Sequence, residues 1–398
     1  MKNAFIVLGL GFGDEGKGVV VDYLCSKSQD PLVVRFSGGH QVGHTVKIGD
    51  KKHTFSNFGS GTLRNVPTLW MENCTVSPVG IINEFNTLKE LDSNLNPQLY
   101  IEALCPVTTP FDIVANELDD NHHGTVGIGF GTTLQREEDH YHLFFQDLFH
   151  PTILRMKLKQ IFNYYGEKIT TDRKQWDREA TFNRILKEYG WWDKINDLKE
   201  LHEKNIHTVS NAIDFLFNYD DIIFEGNQGI LLDQKHGFFP HVTRSSTTSE
   251  LVLDTINEYM VHYNKVNFNA YYVSRIYQTR HGKGPMTNEN LIPLKLINTT
   301  EEINIKNDYQ GQFRKSVLDL DLINYALDVD NIFPLEYEVK RNLIFTCIDQ
   351  ISENFQYTQN SLLYNTRKLE EIVAKVLDID DVYINISPES KTITLYKH

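Results

Sequence analysis

The chain has few cysteines, and their spacing excludes a common use of this residue. Only four of its 398 residues are cysteine, at Cys25, Cys74, Cys105 and Cys347. No two of them form a C-x-x-C pair, so no redox or metal-binding pair is indicated. Scattered thiols of this kind are typical of reduced proteins in the cytosol, and we expect a cytoplasmic protein.

Long apolar runs and linkers are missing as well. No stretch approaches the roughly 18 apolar residues that span a membrane. The apolar N-terminal stretch ends at Asp14 and Glu15 without a small-residue cleavage site, so it does not predict a signal peptide. The length would allow two or three domains. However, no Pro/Gly/Ser-rich linker or repeat divides the chain, and we expect residues 1–398 to form one unit.

Positive charge is in deficit. The chain has 39 lysines and arginines against 53 aspartates and glutamates, which gives a formal net charge of −14 at pH 7. A surface of this sign repels nucleic-acid phosphates and anionic membranes, so we expect neither as a partner. Local basic pockets are compatible with this balance, and Lys17, Arg35 and Arg244 are the candidates.

Short apolar runs alternate with helical or mixed segments. This alternation predicts an α/β fold with a large, mainly parallel central sheet and helices on both faces. Ligands of such sheets bind beyond the carboxyl ends of the strands. The charged stretch 154–204 is predicted to be helical, with Trp191 and Trp192 in the packing surface. The predicted strands are Phe5 to Leu8, Leu32 to Phe36, Asp221 to Phe224, Phe268 to Val273 and Leu343 to Cys347.

A glycine-rich segment follows the first predicted strand. Residues 11–18 read G-F-G-D-E-G-K-G and match G-x-x-x-x-G-K at Gly11, Gly16 and Lys17. In that spacing, backbone N–H groups and a lysine bind phosphates at a helix N-terminus. Gly18 stands where a P-loop nucleotidase has the Ser or Thr that holds Mg²⁺, which disfavours a generic kinase or GTPase. Asp14, inside the loop, is the alternative metal ligand.

Two further motifs come later in the chain. Residues 35–45 read R-F-S-G-G-H-Q-V-G-H-T, and residues 224–229 read F-E-G-N-Q-G. His40 and His44 have the i, i+4 spacing of a zinc-binding helix, but the surrounding glycines disfavour a helix and no glutamate stands between the histidines. A role in catalysis or in loop packing is favoured over zinc. The three motifs together resemble the signature of the adenylosuccinate synthetase family.

This resemblance implies a reaction. Family members are GTP-dependent, Mg²⁺-requiring ligases of purine biosynthesis. They join L-aspartate to carbon 6 of IMP through a 6-phosphoryl intermediate, releasing GDP and phosphate, and they act as homodimers. The same chemistry on a different purine nucleotide or amino acid is an alternative. A regulatory protein that binds nucleotides without catalysis is another, but the presence of both Asp14 and His44 counts against it.

The resemblance also assigns roles to individual residues. Asp14 removes the purine N1 proton and holds Mg²⁺ together with Gly43. Lys17 neutralises the transferring phosphoryl group, His44 is the general acid, and Gln228 contacts the base. The GTP site is assigned to Gly13, Glu15, Gly16, Lys17, Gly18, Gly43, Thr45, Asp349 and Ser387. The substrate site is assigned to Gln41, Thr125, Gln228, Thr243, Arg244, Gln312 and Arg314.

Several positions depart from the family pattern. Val126 replaces a phosphate-binding threonine and Ile128 an arginine, while His140 aligns with the arginine that the partner subunit lends. Arg244, where the family generally has a serine, is expected to restore one contact with the phosphate.

The loops for the amino acid and for guanine are altered too. Gln312 replaces an arginine that touches both amino acid and ribose, although Arg314 is still able to clamp a carboxylate. In the guanine-binding T-K-x-D motif, Cys347 replaces lysine while Asp349 is kept. The sequence therefore predicts a divergent, shortened member of the family whose substrates are less certain than its chemistry.

Overall fold

A large sheet forms the centre of the fold. The computed structural model describes residues 3–118, 127–166, 178–260, 266–299, 311–331 and 338–396. Within them, the sheet has ten strands, and all neighbouring strands are parallel except the last pair at one edge. From that edge, the strands are Thr394–Leu395 (β19), Asp381–Ile384 (β18), Val339–Thr346 (β15), Asn267–Arg275 (β11), Asn3–Gly9 (β1), Asp221–Glu225 (β10), Pro31–Arg35 (β2), Thr68–Trp70 (β6), Leu99–Glu102 (β8) and Ile206–Val209 (β9).

The described residues also form smaller sheets of two or three strands. Their strands are Gly38–Gly39 (β3) with Cys74–Thr75 (β7), His44–Ile48 (β4) with Lys51–Phe55 (β5), Gln278–His281 (β12) with Phe313–Ser316 (β13), and Leu318–Asp319 (β14) with Phe355–Gln359 (β16) and Leu362–Thr366 (β17).

Helices occupy most of the segments between the strands. None of those in the described ranges is both long and apolar enough to cross a membrane. They are Lys17–Lys27 (α1), Pro78–Leu91 (α2), Pro110–Glu117 (α3), Phe130–Glu138 (α4), Pro151–Tyr164 (α5), Arg178–Glu188 (α6), Trp191–Leu201 (α7), Ala212–Leu216 (α8), Glu250–Met260 (α9), Leu320–Asn331 (α10) and Leu369–Val373 (α11).

Both faces of the sheet are buried, as the apolar runs of a parallel sheet require. On β1, Ile6 packs into one cluster with Ile256 of α9 and Ile323 of α10. Its neighbour Val7 points to the opposite face and packs into another cluster with Val20 of α1. The prediction of a mainly parallel sheet covered on both faces is therefore confirmed.

The predicted strands are all present, with shifted ends. The strand predicted from Leu343 begins four residues earlier, at Val339. The sequence hid this start because Lys340 and Arg341 are charged. In the structure, Arg341 lies over the Tyr272 ring, with its guanidinium carbon 5.1 Å from the ring centroid. The predicted helical stretch contains α5, α6 and α7, and Trp191 is buried as expected.

Candidate active site

The glycine-rich segment joins the end of β1 to α1, as its motif predicts. The loop needs backbone shapes that few residues adopt, since Gly16 has φ +97° directly before the helix and Asp14 has φ +65°. Glycine accepts such angles freely, and aspartate does so more readily than most other residues. The turn aims the N-terminal amides of α1 beyond the carboxyl edge of the sheet.

Glu15 holds this loop together from inside. Its Oε1 accepts hydrogen bonds from the backbone N–H groups of Gly11, at 3.1 Å, and Gly13, at 2.8 Å. Its Oε2 lies 2.6 Å from Nζ of Lys17, and both side chains are buried. The Glu15 side chain therefore acts on the loop and on Lys17.

The missing hydroxyl at Gly18 has a steric reason. A Cβ atom at this position would lie 2.9 Å from Cβ of His44 and 3.0 Å from Oγ of Ser60. Both distances are shorter than ordinary packing allows. The close approach of His44 therefore excludes the Ser or Thr of a P-loop nucleotidase.

His44 is held by a buried carboxylate. Its Nδ1 lies 2.6 Å from Oε1 of Glu225. The Glu225 side chain is fully buried, and it also accepts from Oγ of Ser60 at Oε1 and from the backbone N–H of Ser60 at Oε2. Burial raises the pKa of Glu225, but His44, Arg35 and Ser60 outweigh it and lower the pKa to about 2. Burial lowers the pKa of His44, against the opposing effect of Glu225. Within the described residues, Nε2 of His44 has no hydrogen-bond partner.

Asp14 faces the same space. Its Oδ2 lies 3.1 Å from Nε2 of His281, and 24% of its side chain is exposed. Burial raises the pKa of Asp14, but the hydrogen bond from His281 and the charges of His281, Arg275 and Lys17 outweigh it and hold the pKa below its ordinary value. The carboxylate is thus ionised and able to accept a proton.

One cavity of about 1270 Å³ unites most of the predicted site. Thr125 and Val126 lie outside the described residues. Gln312 and Arg314 do not line the cavity, and neither does His140. The predicted site residues that line it are Gly13, Asp14, Glu15, Gly16, Lys17, Gly18, Gln41, Gly43, His44, Thr45, Gln228, Thr243, Arg244, Asp349 and Ser387.

Arg314 is engaged beside the cavity. It donates to Oε2 of Glu289 and to the carbonyl of Gly284, each at 2.8 Å. Its register partner across the β12–β13 pair is Arg280, which does line the cavity. Arg280 is therefore better placed than Arg314 to meet a carboxylate in this structure.

Arg244 lines the cavity and contacts α4. Its guanidinium donates to the carbonyl of Gly131 at 3.1 Å and to Oε1 of Gln135 at 2.8 Å. Ile128, which also lines the cavity, precedes this helix, and its carbonyl lies 3.2 Å from Nε2 of His40. These contacts place a cation next to a helix N-terminus, an arrangement that favours an anion.

Asp349 also lines the cavity and lies in a short turn after β15. Cys347 precedes it with φ +60° and lines the cavity as well. Burial raises the pKa of Asp349. Nδ2 of Asn298 donates to the Asp349 carbonyl at 3.0 Å, and Ser387 also lines the cavity.

Comparison with known proteins agrees with the motifs. The family model of adenylosuccinate synthetase matches residues 6–368. The adenylosuccinate synthetase of Blochmanniella pennsylvanica is 32% identical over 295 residues, which cover 73% of this chain and 65% of that protein. The chain belongs to the adenylosuccinate synthetase family. Adenylosuccinate synthetase 1 of Pseudoalteromonas translucida is 33% identical over 303 residues, or 73% of this chain and 64% of that protein. The matched part thus spans about two thirds of these relatives' length.

Two solved structures share the fold. The fully ligated adenylosuccinate synthetase of Plasmodium falciparum has a TM-score of 0.73 at 18% identity, covering 99% of this chain and 100% of that one. The succinoaminodeoxyadenylate synthetase of cyanophage S-2L, bound to dGMP and dATP, has a TM-score of 0.63 at 14% identity, covering 99% of this chain and 95% of that one. At these identities, the likeness concerns the fold alone.

In this member of the adenylosuccinate synthetase family, sequence reasoning missed residues that touch the predicted catalytic groups. Glu225 ends a buried strand, and a buried carboxylate in that position needs a partner, which was a usable signal. His281 gave a weaker signal. It follows β11, which is parallel to β1, so it comes after the carboxyl end of a strand next to the one that leads into Asp14. Neither residue's partner was predictable from spacing.

Proposed function

We propose that this chain is a GTP-dependent ligase that condenses L-aspartate with carbon 6 of IMP to give adenylosuccinate, GDP and phosphate. The observation that carries the proposal is the single cavity that holds the phosphate loop, the Asp14 carboxylate and His44 together. A phosphate-binding loop alone fits many reactions. A carboxylate base and a histidine beside it fit a phosphorylation that activates a carbonyl for displacement.

In the first step, Asp14 takes the N1 proton of the purine. The 6-oxygen gains negative charge and attacks the γ-phosphorus of GTP, whose bond to the β–γ bridging oxygen breaks so that GDP departs. Lys17 and the loop amides neutralise the charge on the transferring group, and Glu15 fixes the position of Lys17. In the second step, the aspartate amine attacks carbon 6 and phosphate departs. Nε2 of His44 donates to the 6-oxygen, while Glu225 stabilises the charge that His44 carries.

Family membership implies Mg²⁺, and the residues present fit it. Mg²⁺ is commonly held by one or two carboxylates together with substrate phosphates and water. The partly exposed Asp14 carboxylate and the backbone of Gly43 would hold it here. In the described ranges, no group of three or more His, Cys, Asp or Glu could bind a metal without a substrate. When bound, the ion would neutralise phosphate charge.

Further parts of the proposal rest on the family. Asp349 is assigned to the guanine N1 and N2 hydrogens of GTP, with Ser387 closing the other side of the base. A cytoplasmic homodimer is proposed from membership alone, and so is the organisation of the chain as one unit.

An assay matrix tests the proposal. IMP, GMP and their deoxy forms are crossed with GTP and ATP, and aspartate incorporation is followed by mass. We expect the largest turnover with IMP and GTP. Residues 347–350 form the proposed base-binding turn, which therefore includes Cys347. The matrix includes dGMP and ATP for this reason, and because the cyanophage protein of the same fold binds dGMP and dATP. If none of the pairs gave an aspartate-dependent product, the proposal would be overturned.

Arg244→Ala is expected to raise the KM for the purine nucleotide about tenfold. The guanidinium lies at the N-terminus of α4, where a 5′-phosphate would gain a charge-assisted hydrogen bond of about 1.5–3 kcal/mol. The lower end applies because 41% of the side chain is exposed. Initial rates against nucleotide concentration measure the effect, and the KM for GTP should stay within about twofold.

Lys235→Ala is the matched control for this prediction. Lys235 is an exposed cation that pairs with Glu250 at 3.1 Å and does not line the cavity. Its replacement should leave both KM values unchanged. An unchanged nucleotide KM in Arg244→Ala, or equal use of inosine and IMP by the wild-type protein, would contradict the phosphate contact.

A further inference from the structure

The end of β11 lies between two loops to which the proposed function gives different tasks. On one side β11 pairs with β1, which leads into the phosphate loop. On the other side it pairs with β15, and Arg275 is in register with Thr346, three residues before Asp349. Side chains that leave the end of β11 are therefore able to contact both loops.

Two hydrogen bonds fix the backbone of the phosphate loop from these strands. Nε of Arg275 donates to the carbonyl of Asp14 at 2.6 Å, and Oγ1 of Thr346 donates to the carbonyl of Glu15 at 2.6 Å. Asp14 has a left-handed backbone at φ +65°, a region that residues with a side chain seldom adopt. Its orientation thus depends on contacts that hold the peptide.

The contacts of Arg275 continue toward the base-binding turn. Its Nη1 donates to the hydroxyl of Tyr277 at 2.6 Å, and that hydroxyl donates to Oε1 of Gln350 at 2.5 Å. Gln350 directly follows Asp349 in the same turn. A phenol hydroxyl has one proton, so Tyr277 accepts from Arg275 and passes its own proton to Gln350. Arg275 and Tyr277 are both buried, which makes each bond costly to lose.

We propose that the hydrogen-bond chain from Asp14 through Arg275 and Tyr277 to Gln350 couples occupation of the base-binding turn to the orientation of Asp14. The role of Asp14 in proton transfer and that of the turn at Asp349 in base binding rest on the proposed function. The connection itself rests on the hydrogen bonds that join Asp14, Arg275, Tyr277 and Gln350. A base bound at Asp349 restrains Gln350, and the chain carries this restraint to the Asp14 peptide. Tyr277 is thus a positioning residue that touches neither base nor phosphate.

Tyr277→Phe tests the chain because it removes one hydroxyl and keeps the ring. Tyr272→Phe is the matched control. Tyr272 is also buried and lies on β11, but its hydroxyl donates to Oδ2 of Asp330 at 2.7 Å, in a separate cluster. Tyr272→Phe removes the donor to the buried Asp330 carboxylate, and Tyr277→Phe removes the acceptor of the buried Arg275 Nη1, so both are expected to be destabilised. Only Tyr277→Phe interrupts the path between the loops.

The first measurement needs no turnover. Amide hydrogen exchange of residues 10–18 is compared with Mg²⁺-GDP, Mg²⁺-ADP and Mg²⁺-pyrophosphate, the last of which lacks a base. In the wild-type protein and in Tyr272→Phe, at least one nucleoside diphosphate should slow exchange about tenfold more than pyrophosphate does, an effect typical of one hydrogen bond. In Tyr277→Phe, this difference should fall to about twofold or less.

The second measurement is kinetic. Tyr277→Phe should lower kcat about tenfold with little change in the KM for GTP, because orientation rather than binding is lost. Three results would overturn the coupling. The first is equal protection in Tyr277→Phe and wild type, and the second is a loss of protection or of kcat in Tyr272→Phe equal to that in Tyr277→Phe. The third is no extra protection by either nucleotide in wild type. If the wild-type protein forms no aspartate-dependent product, the proposed function fails, and hydrogen exchange still decides the coupling.

Discussion

Asp14→Asn should lower turnover by about 10²–10⁴-fold, the usual contribution of a general base. The change removes the group proposed to take the N1 proton and one negative charge from the proposed metal site. Asparagine tolerates the left-handed backbone at this position as well as aspartate does, so the fold should be kept. Aspartate-dependent phosphate release and product mass measure the loss.

The control for this variant is Asp30→Asn. Asp30 also has a left-handed backbone, with φ +46°, but it is exposed and lies in the turn after α1. It should keep its turnover within about twofold, since exposed substitutions rarely matter. If purified and folded Asp14→Asn kept more than about a tenth of the wild-type turnover, the assignment of Asp14 as the base would be wrong.

Glu225→Gln is expected to lower kcat by about 10²–10⁴-fold, as in other enzymes where a buried carboxylate orients a catalytic histidine. Glu225 is fully buried and accepts from Nδ1 of His44 at 2.6 Å. The amide keeps the shape but not the charge that stabilises a protonated His44. With the neutral amide oxygen accepting from Nδ1–H, a neutral His44 carries no proton on Nε2 and is unable to donate to the 6-oxygen.

Glu102→Gln provides the comparison for this effect. Glu102 is buried at the end of β8, where it accepts from the backbone N–H groups of Glu72 and Ala212 at 2.7 Å each. It does not line the cavity. Thermal unfolding should show a loss of stability in both variants, but only Glu225→Gln should lose kcat. Similar kcat losses in the two would assign Glu225 a structural role only.

The contacts of Arg280 and Arg314 could not be predicted from the sequence. The order of residues around Gln312 and Arg314 indicates an amino-acid clamp by resemblance. In the folded chain, Arg314 is engaged by Glu289, and Arg280 faces the cavity instead. Which arginine faces a ligand depends on the pairing of β12 with β13, and that pairing has no signature in local spacing.

The sequence by itself determined the fold class, the family and the local shape of the phosphate loop. These properties are set by neighbours in the chain: an apolar run forms a buried strand, glycines permit the turn, and Lys17 opens the helix. The absence of a hydroxyl at position 18 was also visible in the sequence. Its cause was not, because His44 meets Gly18 only after the chain has folded.

Only the tertiary structure decided which polar groups act on one another. Glu225 at the end of β10 meets His44 at the start of β4, a strand of a separate small sheet, and Arg275 reaches Asp14 because β1 and β11 are adjacent. A buried charge must find a partner, yet burial does not say which of many distant residues it will be. The hydrophobic pattern fixes that strands are buried, whereas packing and hydrogen bonding across the whole sheet select their neighbours and thereby the partners of each side chain.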